Sequence, residues 1–342
     1  MRMIRTYSAF GLLTLAVILT GCFKKEDPIP ANPVGPVQEV VIPMTEFYVN
    51  QIYFNLKTGE QVSMNQKNVF DLSFACSDTS TLIRLNSATF MEAAETDQTD
   101  ILLPVDTTGL HWKFDKSDGD PDSTALINWI SLSDGDTTYS DKVWIINRGI
   151  NAQGFPLGLM KARFIKHQDG AYYFSYAAPG ESMAHDVVIH KDPGYNYVQF
   201  SFADGGKVEQ VEPLSSNWDL LFTQYTTLLL TNEGDPYPYL VTGTLTNENN
   251  TLVGLDTTLV FNDIVLEDIL DLDYSPARDA IGYEWKELVG DPTGGDFYYQ
   301  AKSNYNYIIL TKSGIYYKLR FTGFYDQDTG EKGFPSFEFQ RI

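Results

Sequence analysis

Residues 305–342, YNYIILTKSGIYYKLRFTGFYDQDTGEKGFPSFEFQRI, admit few folds, because they read as three strands joined by two turns. Positions 307–311 form an apolar run, and Ser313-Gly314 supplies a hairpin turn. Positions 316–321 alternate, with Tyr316, Lys318 and Arg320 on one face and Tyr317, Leu319 and Phe321 on the other. That is the pattern of a strand with one buried and one wet side. A glycine-bearing loop at 328–333 leads to a closing strand in which Phe337 and Phe339 share a face. Such a meander is not stable alone and calls for a second sheet. An aromatic content of 14%, with 21 Tyr and 21 Phe, also favours sheet over helix.

The stretch has a counterpart earlier in the chain. Residues 142–176 repeat the order of apolar strand, glycine turn, Lys-x-Arg-Phe strand, glycine loop and aromatic strand, with Lys161-Ala162-Arg163-Phe164 answering Lys318-Leu319-Arg320-Phe321. Upstream, Trp112-Lys113 answers Trp285-Lys286, Phe70-Asp71-Leu72 answers Trp218-Asp219-Leu220, and Phe54 answers Phe202. Anchors recurring in one order argue for an internal duplication. The fold expected is therefore all-β: two tandem antiparallel, sandwich-like domains, 46–185 and 186–342, with few short helices. By these anchors the second copy carries an insertion between Asp219 and Trp285. It holds Asp235-Pro236-Tyr237-Pro238-Tyr239, a hairpin near 247–250, and a short helix at 261–272 with Phe261, Ile264, Val265 and Ile269 on one face. Long inserts in compact β domains often carry binding.

The N-terminus speaks of location. Arg2 and Arg5 precede an apolar run at 9–19, too short to span a bilayer, which ends in Leu19-Thr20-Gly21-Cys22. Residues 1–21 read as a lipoprotein signal peptide and Cys22 as the acylated residue, whose lipid chains anchor the protein at about 0.8 kcal/mol per buried CH₂. Lys24-Lys25-Glu26-Asp27 resembles the lysine-acidic signal that routes some Gram-negative lipoproteins to the cell surface. Five prolines, at 28, 30, 33, 36 and 43, make 22–45 a tether. Cys76 is the only other cysteine, so it is read as a small core residue without a disulfide. A net charge of −21 excludes nucleic acid as a natural partner.

No catalytic motif is present: no Gly-x-Ser-x-Gly, no His-Glu-x-x-His and no phosphate-binding glycine loop. The reading is of a chain that is not an enzyme, with no metal site of its own. The acidic run 115–122 offers clustered carboxylates but lacks the spacing of a calcium loop and reads as an acidic turn. Histidine is limited to His111, His167, His185 and His190. Met183, His185 and His190 cluster near the domain junction and are donors of the kind that ligate haem iron, though solvated linker residues explain them equally well. His167 lies in a turn where the second copy has Phe324.

The segments at 217–222, 316–325 and 330–339, NWDLLF, YYKLRFTGFY and GEKGFPSFEF, resemble the HmuY family of surface haem-binding lipoproteins. The likeness covers 190–342 well and the first copy as a degenerate version. It implies an HmuY-like fold whose projecting loops grip haem through histidine or methionine, serving haem and iron acquisition at the outer membrane, with an outer-membrane receptor as a further partner. The chain departs from that pattern, since no histidine follows His190 and no methionine follows Met183. Tyrosine is the remaining ligand type, which makes Tyr237, Tyr239 and Tyr225 candidates beside His167, Met183, His185 and His190. The alternative is a structural or adhesion module that keeps the fold without the cofactor, and a glycan-active hydrolase is a second rival. If Cys22 is the anchor, Cys22→Ser moves the protein from the detergent-rich to the aqueous phase on detergent phase partitioning.

Overall fold

The computed structural model describes residues 34–133, 135–291 and 294–342, so the signal segment, Cys22 and the first part of the tether lie outside the described residues. Eleven strands fill the first part of the chain: β1 (Gln38–Val41), β2 (Asn50–Asn55), β3 (Glu60–Gln66), β4 (Leu72–Ala75), β5 (Ile83–Leu85), β6 (Glu92–Glu95), β7 (Ile130–Ser133), β8 (Asp136–Tyr139), β9 (Trp144–Asn147), β10 (Leu159–Gln168) and β11 (Ala171–Ala177). Eleven more follow: β12 (His185–His190), β13 (Tyr197–Ser201), β14 (Lys207–Glu209), β15 (Leu220–Leu230), β16 (Pro236–Thr246), β17 (Thr251–Asp256), β18 (Lys286–Asp291), β19 (Asp296–Ala301), β20 (Asn306–Thr311), β21 (Tyr316–Tyr325) and β22 (Lys332–Arg341). The chain is thus all-β, and among the described residues no helix is long and apolar enough to cross a membrane.

Strand pairing repeats at an offset of eleven. A sheet β12-β11-β10-β9-β6 matches β1-β22-β21-β20-β17, a sheet β14-β13-β4-β5 matches β3-β2-β15-β16, and the hairpin β7-β8 matches β18-β19. The two halves nevertheless do not fold apart. A boundary at 185/186 cuts four ladders: β1 with β22, β2 with β15, β13 with β4, and β12 with β11. The first lobe is the continuous run β4–β14. The second is β15–β22 completed by β1–β3 from the N-terminus. The expected domains 46–185 and 186–342 are corrected accordingly, because alternation shows which face a strand buries but not which neighbour it hydrogen-bonds. The tether is shortened for the same reason: Gln38–Val41 pairs with the last strand, and Ile42 and Met44 are fully buried.

Each lobe closes on the same aromatic quartet between its two sheets. Phe174 stacks on Phe74 (5.4 Å) and meets Phe200 edge-on (5.2 Å), while Phe337 stacks on Phe222 (5.4 Å) and meets Phe54 edge-on (5.4 Å). Phe164 and Phe321 complete the sets at 5.8 and 5.9 Å. Such pairs add about 0.5–1.5 kcal/mol each beyond their buried area. Two sequence alignments shift as a result. Phe54 corresponds to Phe200 rather than Phe202. Trp285, buried against Phe321, corresponds to Trp129, buried against Phe164, and not to Trp112.

The imported strands are held by a repeated polar clamp. Asp219 donates its N–H to Phe54 O (2.9 Å) and accepts from Leu56 N on Oδ2 (2.8 Å); Asp71 does the same with Phe200 O (2.8 Å) and Phe202 N (2.6 Å). Beside them Asn247 Nδ2 donates to Ser215 O and Trp218 O, and Asn86 Nδ2 to Lys67 O and Phe70 O. Every clamping group is buried, so each bond replaces water that the backbone cannot otherwise reach.

The acidic run 115–122 forms turns as expected, Asp115 accepting from Leu85 N and Ala125 N and Asp120 from Asp122 N. Three smaller expectations change. The helix at 261–272 shrinks to a 3₁₀ turn and one α-turn, Leu266–Ile269, with Val265 exposed. That insert covers Lys318, whose Nζ donates to Phe261 O and Ile264 O, so the face of β21 expected to be wet is dry at this position. Finally, 247–250 is a turn between sheets, since β16 and β17 do not pair. Cys76 is buried and unpaired, as expected.

We expect Asp219→Ala to cost about 2 kcal/mol by leaving buried N–H donors unpaired. Asp71→Ala is expected to cost more, about 3–5 kcal/mol, because it also strands the Arg148 guanidinium that Asp71 pairs at 2.8 Å. Urea midpoints at constant m-value measure both.

Candidate functional site

The lobes differ most at one hairpin. β15 and β16 have eleven residues each, against four and three in their counterparts β4 and β5. Thr and Leu dominate β15, which suits a long strand. Pro236 and Pro238 are tolerated because β16 is an edge strand and needs no outward donor. The extended hairpin stands over β18-β19, also longer than β7-β8, and together they wall a cleft of about 810 Å³. The volume lies within the range usual for small-molecule sites.

Aromatic rings make the walls. Tyr48 stacks on Phe324 at 6.1 Å, Tyr299 meets Phe324 edge-on at 5.5 Å, and Tyr239 and Tyr283 complete the lining. Tyr325 Oη accepts from Tyr299 N (2.8 Å), fixing β19 against β21. The turn that carries Tyr48 is strained: Thr45 and Tyr48 adopt φ of 69° and 51° without being glycine. Gly333 permits it, since a Cβ there would lie 2.1 Å from Thr45 O. Burial pushes the Tyr48 hydroxyl well above its ordinary range.

One lysine sits on the floor and a second lies behind it, bonded to the lining residue Gln224. Lys286 Nζ donates to Thr242 O and lies over the rings of Trp285 (4.3 Å) and Phe324 (5.0 Å). Lys67 Nζ donates to Gln224 Oε1, and Gln224 Nε2 in turn donates to Thr242 Oγ1 (3.3 Å). Neither lysine makes an ion pair among the described residues. Burial alone pushes Lys286 down to about 7 and Lys67 down to about 8. The first lobe has Ile130 where the second has Lys286, so this amine belongs to one lobe only.

Of the candidate ligands read from the sequence, only Tyr239 lines this cleft; Tyr237 stands beside it on the hairpin, ring centroids 6.2 Å apart. Tyr225 is a correction. It is 1% exposed in a cluster with Tyr53, Trp218 and Leu245, so its hydroxyl is not presented to a ligand. His167, His185, His190 and Met183 all lie in the first lobe's β10–β12 region, away from these tyrosines in the fold. His185 stacks on Tyr176 at 4.9 Å and pairs with Glu181 at 3.6 Å. His190 is five residues along the same strand, about 17 Å away at strand rise. His167 packs on Tyr172 at 4.8 Å, and burial lowers its imidazole below the usual range. Met183 is 69% exposed in a turn. Among the described residues no three His, Cys, Asp or Glu side chains gather into a metal site. Arg320 is tied to Glu338 and Lys318 to two carbonyls, so the cations expected to meet ligand carboxylates are already engaged.

Sequence reading missed Tyr48, Tyr299, Phe324 and the role of Lys286. A faint signal existed in the Phe297-Tyr298-Tyr299 run and in the lysine following Trp285. Nothing local announced that the N-terminal turn at 45–48 would arrive there.

Residues 194–339 match the family model of the HmuY protein. No curated protein matches. Among solved structures the chain is similar to apo PinO from Porphyromonas gingivitis, at 10% identity over 90% of this chain and 97% of that one, with a TM-score of 0.30. It is also similar to the apo HmuY analog of Tannerella forsythia, at 12% identity over 91% and 98%, with a TM-score of 0.24.

The floor lysine has a consequence for stability. In the unfolded chain Lys286 keeps its proton up to the ordinary value of 10.5, whereas in the fold it releases it near 7. Between these values the unfolded state binds more protons, so stability rises with pH through that window and is lowest below it. Lys286→Met is expected to flatten that rise, read as urea unfolding free energies at pH 7 and pH 9.

Proposed function

We propose, from the match of residues 194–339 to the HmuY family model, that the chain is a lipid-anchored, non-enzymatic binding protein of the outer membrane surface. It takes a planar ligand of the haem type in the aromatic cleft of the second lobe, for haem or iron acquisition. One observation carries the reading: the cleft between the long β15-β16 hairpin and β18-β19 is lined by rings on several sides, with a tyrosine hydroxyl at its wall. Rings pack on a porphyrin face, and a tyrosine oxygen is an established type of haem ligand. Tyr239, and Tyr237 beside it, are the residues that would hold the iron; the iron chemistry is the cofactor's own.

A second reading, an adhesion or structural module that keeps the fold without haem, is favoured by the scatter of His167, Met183, His185 and His190 over one sheet and its turn. In that case the cleft serves a different apolar partner. Titrating the soluble protein with haemin separates the two. A saturable Soret shift that Tyr239→Ala weakens at least tenfold, with His167→Ala and His190→Ala unchanged, supports the cleft. No saturable shift leaves the second reading standing.

A further inference from the structure

The floor of the cleft is chemically unlike its walls. Lys286 Nζ is held by backbone carbonyls and aromatic faces, Thr242 O, Tyr283 O, Trp285 and Phe324, and by no side-chain acceptor among the described residues. Glu46 and Glu331 also line the cleft, yet neither forms an ion pair with it. A buried ammonium without a counter-charge is costly, and the cost is cut when an anion is brought beside it. Ring faces alone are a poor substitute, since a cation over an aromatic contributes about 0.5–2 kcal/mol. Behind Lys286, the Lys67–Gln224–Thr242 chain adds a second amine with no carboxylate. This is notable in a chain of net charge −21, where acidic partners are abundant.

We propose that the cleft is a receptor for a planar aromatic acid, whose carboxylate descends to the floor and pairs with Lys286 while its rings lie between Tyr48, Tyr239 and Tyr299. Lys286 is then the residue that sets specificity for an acid over a neutral ring system of the same shape. This inference rests on the proposed occupation of the cleft and deepens it. The lowered affinity of Lys286 for its proton in the empty cleft accords with the arrangement, because an adjoining carboxylate restores the charged form.

Metal-free protoporphyrin IX and its dimethyl ester, followed by quenching of protein fluorescence at one pH and one detergent concentration, test this without reliance on iron ligation. The wild-type protein is expected to bind the diacid at least tenfold more tightly than the diester. Lys286→Met, with its fold verified by circular dichroism, is expected to bind the two alike, whereas Lys116→Met, an exposed lysine of the first lobe, keeps the preference. Equal binding of acid and ester by the wild type overturns the inference and leaves the cleft reading intact. A preference for the acid that survives in Lys286→Met also overturns it. Failure of both compounds to bind where haemin gives its saturable Soret shift overturns the inference alone, and failure of haemin as well overturns the inference and the reading together.

Discussion

Two buried aspartates hold the architecture together. Asp71 and Asp219 each sit at the start of an inner strand and reach across to the backbone of a hairpin that comes from the other half of the sequence. Without such clamps the imported strands would leave two four-stranded sheets half built and their aromatic quartets open on one side. The first lobe is one continuous run of chain, whereas the second is complete only with β1–β3 from the N-terminus. The junction is sealed by a small apolar cluster around Tyr53, Trp218 and Tyr225 and by Arg84, which bonds Tyr197 and approaches Glu248 at 3.5 Å. At its edge Glu212 accepts from Asn196 N, Tyr197 N and Trp218 Nε1, and burial still pushes its carboxyl up to about 7.

The closure by imported strands also makes the cleft. Its walls come from β16, β18-β19 and β21 of the C-terminal half, but Tyr48 and the strained turn beneath it arrive from the N-terminus with β1 and β2. The first lobe has the same strand order, but its β4 and β5 stop after a few residues and an isoleucine stands where the second lobe has the floor lysine. The second lobe thus differs by two lengthened hairpins and by the side chain at the cleft floor. Sites on fixed strands are better placed than sites on loops, and here Tyr239, Tyr299 and Phe324 lie on β-ladders.

Much of the fold was legible from residues alone. The alternation in 316–321, the glycine turn at Ser313-Gly314 and the paired Lys-x-Arg-Phe strands correctly announced a repeated antiparallel scaffold, because a period of two and a positive-φ turn are local properties. The candidate site was legible only in part. Tyr239, singled out by its unusual Tyr-Pro-Tyr stretch, lies on the cleft wall. Tyr225 was misjudged because one strand face is buried by the junction cluster, and the histidines because nearness in sequence is not convergence in space.

What the sequence determined by itself is therefore the class of structure, the recurrence of one strand pattern along the chain and the aromatic character of the interior, because alternation and turn chemistry are short-range properties. The pairing of β1–β3 with the far end of the chain, the true partner of Trp285, and the meeting of Tyr48 with Lys286 were decided only in three dimensions. The reason is physical: a strand's hydrogen-bonding edge is the same backbone whatever its sequence, so partner choice is set by which cores and clamps can be satisfied together.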